Sequence, residues 1–299
     1  MKTKYWAFIA AFLVQLLYGL NFTFAKDVLA GAFLKPSGFI VIRVAGATAL
    51  FWLFSFMGPK EKIDRKDYLT FFYAAIFGVA LNMLLFFKGL SFTSPIHASV
   101  IMITAPIIVL ILSAIYLKER VTGLKIFGVV LGFLGAVVLS VYGRSNLSGD
   151  NILLGNALVF INAVSYSIYI IIVKKLTEKY HPFTFIKWLF LFGLILVIPF
   201  GYNDLLQIDI NTFTPYIYFS VIFVVVGATF GTYLLNPLAL KHLKASTVSA
   251  FIYVQPVIAG IFAIIMGSDS LTSVKLIASA LIFAGVYLVT KKPKAKLKA

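Results

Sequence analysis

The chain has 299 residues, of which 61% are hydrophobic and only 12% charged, where a soluble domain averages about a quarter charged. With a mean hydropathy of +1.01, lipid must be the solvent for most of its surface. The absence of cysteine excludes a disulfide framework, zinc thiolate sites and a thiol nucleophile. His97, His181 and His242 fall in no metal-ligand spacing, so no metal and no cofactor are expected.

In chain order, apolar segments long enough to cross a bilayer are predicted at 5–25, 37–57, 68–88, 95–117, 123–142, 152–173, 183–201, 214–235, 246–267 and 272–290. The first follows a basic Met1–Lys4 and is too long for a signal-peptide core, so it reads as a span. If the amino terminus is inside, interior loops and the tail 291–299 hold 19 of the 26 Lys and Arg, and exterior loops hold five: Lys26, Lys35, Lys88, Arg144 and Lys275. The positive-inside rule thus accounts for the net charge of +16 without nucleic acid and places both termini in the cytoplasm. The predicted fold is all-α and integral to the membrane, with ten transmembrane helices.

The segment Pro95–Arg120 is written twice. Residues 85–140 laid over 235–290 without a gap are identical at 12 of 56 positions, Ser99/Ser249, Pro106/Pro256, Thr122/Thr272, Lys125/Lys275 and Gly135/Gly285 among them. Two units of five helices follow. Because five is odd, the second enters the membrane from the opposite side, the inverted repeat typical of secondary transporters. Such halves exchange conformations, and substrate is expected between them near the midplane.

The stretch YGLNFTFAK at 18–26, with Arg43 in the next span, resembles the first-span signature of the drug/metabolite transporter superfamily, EamA type. Gly89-Leu90, Ser99 and Pro106, ending in Lys118-Glu119-Arg120, are similar to the end of that repeat. The resemblance covers two units at 8–141 and 153–290 and implies a ten-helix exporter or permease of small metabolites in the cell (inner) membrane. The chain departs from the pattern at Tyr18, where Trp is usual, and at Ser268-Asp269-Ser270, where GE-R is usual.

All ten acidic residues lie in loops or at helix ends. That disfavours cationic drug efflux, which calls for a mid-span carboxylate, and an intramembrane enzyme, which needs a convergent acid/base or metal set. Polar residues recur at helical spacing instead: Gln15, Tyr18 and Asn21; Asn162, Tyr166 and Tyr169; Thr229, Thr232 or Tyr233, and Asn236; Ser249, Tyr253 and Gln255; His97 and Thr104. Each has a plainer role as interhelical glue. Lys26, Arg43, Lys88 and His97 approach the membrane from outside and either snorkel or face a wet cavity, with Asp27 an expected partner for Arg43. The candidate substrate-binding set is therefore Gln15, Tyr18, Asn21, Arg43, His97, Tyr166, Tyr169, Asn236, Tyr253 and Gln255. Pro106 and Pro256 are candidate hinges, since each removes an intrahelical hydrogen bond. Gly128, Gly132, Gly135, Ala278 and Gly285 are expected to serve close helix packing or a homodimer contact. Glu119 is expected to cap a helix and pair with Arg120 or Lys125. The substrate is predicted to be a small polar metabolite such as an amino acid, with an organic-anion or sugar-phosphate exchanger as the alternative.

Overall fold

The computed structural model describes residues 2–30, 33–92, 98, 101–141, 151–265 and 271–291. His97, Ser99, Ser268 to Ser270 and the tail beyond residue 291 lie outside this set, as does the side chain of Lys26. The described residues form ten apolar helices and no strand. They are α1 (Lys2–Ala30), α2 (Pro36–Leu53), α3 (Asp67–Phe92), α4 (Ala105–Tyr116) and α5 (Gly123–Val141) in the first half. The second half holds α6 (Ile152–Lys179), α7 (Pro182–Leu205), α8 (Pro215–His242), α9 (Ala245–Ala250, a 3-10 turn Phe251–Val254, then Gln255–Ile265) and α10 (Ser273–Thr290). Eight of them are long and apolar enough to cross a bilayer, while Ala105–Tyr116 in α4 and Gly123–Val138 in α5 are shorter apolar stretches.

Local chemistry sets the helix starts. Pro36, Pro182 and Pro215 open α2, α7 and α8, where their missing N–H costs nothing. The side chains of Asn151, Thr214 and Thr272 cap α6, α8 and α10 by accepting from Leu154 N (3.2 Å), Ile217 N (3.3 Å) and Lys275 N (3.3 Å). Thr122 does the same for Lys125 N in α5, at 3.3 Å.

The main packing pairs are α5 on α10, α2 on α7, α3 on α6, α1 on α8, α3 on α7, α1 on α9, α4 on α6, α2 on α8 and α4 on α9. Renumbering α1–α5 as α6–α10 and the reverse returns the same list. The α5–α10 contact is close because glycines face backbone: Gly285 lies against Gly128 and Gly132, and Gly135 against the carbonyl of Ala278. These small residues therefore act in helix packing within one chain. Large side chains such as Phe39, Phe51, Phe71, Phe185 and Phe190 fill the centre, while Phe56, Leu153 and Ile265 point outward, as a lipid solvent permits.

Wide π turns interrupt α3 at Ile76–Ala80 and α8 at Phe223–Gly231, at matching positions of the two halves. A π turn breaks the regular ladder and often marks a functional site. The two repeated prolines behave differently from a proline in mid-helix. Pro106 sits in the first turn of α4, after a turn closed by Thr104 N to Ile101 O at 2.9 Å. Pro256 is the second residue of the Gln255–Ile265 piece, directly after the 3-10 turn. Both occupy starts of helical pieces, where the absent N–H is tolerated. The break in each helix lies just before the proline. The prolines inside regular helix are Pro199 and Pro237.

Candidate functional site

Gln15 lies about 20 Å along α1 from its start, at 1.5 Å per residue, and is almost fully buried. Its Oε1 accepts from Gln255 Nε2 at 2.6 Å. The bond ties the first helix of one half to the fourth helix of the other. One turn on, Tyr18 keeps part of its surface accessible and lies beside Thr232, within electrostatic reach of Arg43.

Arg43 is 6% exposed. Its Nε–H donates to Thr229 Oγ1 at 3.2 Å, and its guanidinium lies 5.9 Å from the ring centres of Phe39 and Phe87. Each cation–π contact contributes about 0.5–2 kcal/mol, against a burial cost of several kcal/mol for a lone cation in a membrane. Asp27 does not supply the balance: its Oδ2 accepts from Tyr216 OH at 2.6 Å. That corrects the expected Arg43–Asp27 pair. α1 and α8 meet at their ends and bring Tyr216 to Asp27 first. Among the described residues no carboxylate pairs with Arg43.

The π turns help to build this site. In α8 the wide turn lets Thr229 Oγ1 donate to Val224 O, five residues back, at 2.7 Å while it receives Arg43. In α3 three backbone carbonyls take side-chain donors from the second half: Ser165 Oγ to Phe77 O at 2.8 Å, Tyr233 OH to Gly78 O, and Asn162 Nδ2 to Asn82 O. Asn162 and Tyr233 thus act as interhelical glue, the plainer of their two expected roles. Gly78 admits the neighbouring ring of Tyr169, since a Cβ there would stand 2.2 Å from Tyr169 Cδ2.

Tyr166 OH accepts from Asn236 Nδ2 at 3.3 Å, and Asn236 Oδ1 is buried without a partner. Tyr166, Tyr169 and Tyr233 form a chain of rings with centres 6.1 and 5.7 Å apart. Asn21 Oδ1 is likewise buried and unpartnered. Of the predicted set, then, Gln15, Tyr18, Arg43, Tyr166, Tyr169, Asn236 and Gln255 gather between the halves. Tyr253 does not join them. It is fully buried against Gly132 of α5 with its hydroxyl unpartnered, because two residues along a helix turn it away from Gln255. Lys88 is exposed and lies 4.9 Å from the ring centre of Phe92, away from the cluster. Phe39, Phe87 and Ser165 were not singled out from the sequence. Nothing distinguishes them from other apolar or small residues until the helices are packed.

Two matches decide what kind of molecule this is. The pattern of the EamA-like transporter family fits residues 5–141 and again 153–291. The chain belongs to the EamA-like transporter family. A member from Archaeoglobus fulgidus, described as an uncharacterized transporter, is 33% identical over 97% of this chain and 99% of its own. The uncharacterized transporter YyaM of Bacillus subtilis is 23% identical over 90% of this chain and 88% of its own. A solved crystal structure shares the fold, with a TM-score of 0.76 at 17% identity over 95% of this chain and 96% of that one. This EamA-type protein is therefore a multi-pass membrane transporter.

Proposed function

We propose that the protein is a secondary transporter of small polar metabolites, amino acids and their relatives first among them, working by alternating access around a site between two inverted five-helix repeats. The proposal includes ten spans, both termini in the cytoplasm, a cell-membrane location and net outward movement. The observation that carries it is the pair of contacts Gln15–Gln255 and Arg43–Thr229. Each joins the first half to the second through side chains well inside the helices. A membrane core does not hold such groups without a partner or a polar solute. The packing list that survives exchange of the halves supports the repeat, since a symmetric pair of states needs symmetric contacts.

The exchanger reading draws on Lys26, Arg43 and Lys88 together. With Lys88 exposed on Phe92, Arg43 is the cation with a described place in the cluster, which suits a single carboxylate better than a doubly charged phosphate. The test is counterflow in proteoliposomes with neutral, zwitterionic and phosphorylated solutes. Gln15→Ala is expected to lower the initial rate at least tenfold for the solute that moves. Wild-type rate in Gln15→Ala would remove the central site from the mechanism.

A further inference from the structure

The Arg43 guanidinium is buried, yet among the described residues only its Nε is engaged, by Thr229. Its two terminal amino groups have no hydrogen-bond partner among the described residues. The groups around it are aromatic or hydroxyl: Phe39, Phe87, Tyr18 and Tyr233. A guanidinium presents its donors as a planar fork that matches a carboxylate in two parallel hydrogen bonds. We propose that the two terminal amino groups of Arg43 hold the carboxylate of the transported solute, so that the substrates are singly charged organic acids or zwitterions and their amides are rejected. The phenol and threonine hydroxyls beside it add neutral donors and acceptors, and no second cation joins it among the described residues, so a dicarboxylate leaves one charge unpaired. This assignment rests on the proposed transport function.

The experiment compares acid and amide forms of one skeleton on purified protein: 3-phenylpropionate with its amide, L-phenylalanine with its amide, and succinate as the dianion. Thermal shift reads binding and proteoliposome counterflow reads movement. The acids are expected to bind at least tenfold more tightly than the amides, and Arg43→Gln to erase that difference while Arg43→Lys keeps part of it. An amide that binds as well as its acid overturns the assignment on the wild type alone, whether or not the variants fold. If neutral solutes move equally in wild type and Arg43→Gln, transport stands and the carboxylate assignment falls. If the acids bind through Arg43 but nothing moves, the site stands and the transport reading falls.

A second, independent observation lies at the far end of α4. Glu119 follows Lys118, whose backbone is left-handed with φ 52°. Its carboxylate crosses to the other half: Oε1 accepts from Ala245 N at 2.7 Å, and Oε2 accepts from Ser246 Oγ. Lys125 Nζ lies 3.4 Å from Oε2 and donates to Ser246 Oγ at 2.7 Å. The ion pair is nearly buried, with side chains 8% and 6% exposed. In the 150-residue offset of the repeat, Glu119 and Lys125 correspond to Asp269 and Lys275, but Ala245 and Ser246 correspond to Pro95 and Ile96. Proline has no N–H and isoleucine no hydroxyl, so the repeat lacks the two donors that Ala245 and Ser246 offer to Glu119. The geometry points to a one-sided latch: Glu119 seals the end that carries the α4–α5 turn, and the resting transporter is closed there.

The chain has no cysteine, so Arg120→Cys with Lys241→Cys gives a clean spin-label pair across that end. Wild type is expected to show mainly a short distance. Glu119→Gln is expected to shift a substantial fraction to a longer one. The triple change Pro95→Ala, Ile96→Ser and Asp269→Glu supplies the missing partners on the opposite side and is expected to lengthen the same distance with Glu119 intact. An unchanged distance distribution in both variants overturns the latch.

Discussion

Gly285 is the position where the α5–α10 packing is most exposed to test. A Cβ at Gly285 would lie 2.6 Å from Gly128 O, 2.6 Å from Gly132 N and 2.9 Å from Gly132 Cα. Ordinary contact begins at 3.4 Å, so the shortfall reaches 0.8 Å (3.4 minus 2.6). All three atoms belong to backbone, and no rotamer change relieves them. The helices must separate, and overpacking of this kind costs about 1–3 kcal/mol. Alanine also favours the helix over glycine by about 0.5–1 kcal/mol, which works in the opposite direction. Gly260→Ala isolates that second effect, because nothing lies within 4 Å of a Cβ there. The difference between Gly285→Ala and Gly260→Ala is therefore expected to be about 1–3 kcal/mol, roughly 5- to 150-fold in the folding equilibrium at about 1.4 kcal/mol per factor of ten. Reversible unfolding of the detergent-solubilised protein measures it. Equal stability of the two variants would refute the close α5–α10 contact.

Tyr233→Phe removes the donor to Gly78 O and leaves a buried carbonyl unsatisfied. A loss of about 1 kcal/mol in the same assay is expected, and no loss would mean that the π turn in α3 needs no outside donor. His181, in the turn between α6 and α7, has its pKa pushed below 6.5 by burial and then by Lys241, with Glu61 opposing. The folded state thus binds the proton less readily than the unfolded chain. The stability contributed by neutral His181 is present above about pH 6.5 and is lost as pH falls through the lower folded value. His181→Gln is expected to flatten melting temperature between pH 7.5 and 5, and an unchanged slope would clear His181 of the effect. Lys118→Gly relieves a left-handed lysine at a cost in unfolded-chain entropy. Stability is expected to change by less than about 1 kcal/mol, with activity kept, and a large loss would show that the lysine side chain itself matters.

The sequence alone determined the solvent and the all-helical, apolar build of the chain. Lipid demands long apolar runs with internally satisfied backbone, and that demand is written at every position, so no packing is needed to see it. Register survived as well: Thr122 and Thr272, matched in the repeat, both cap helices. Side-chain partners were beyond its reach, because helical spacing gives a face but not the helix opposite. Gln15 and Gln255 meet across 240 residues. Arg43 finds Thr229 rather than Asp27. Glu119 caps a helix in the other half as well as pairing with Lys125. The π turns were also invisible, since their residues are as apolar as any regular helix and the widened turn pays off only when Arg43 and Tyr233 arrive from neighbouring helices. Composition therefore decides that this chain lives in a membrane, and only tertiary packing decides that a buried guanidinium lies between its halves.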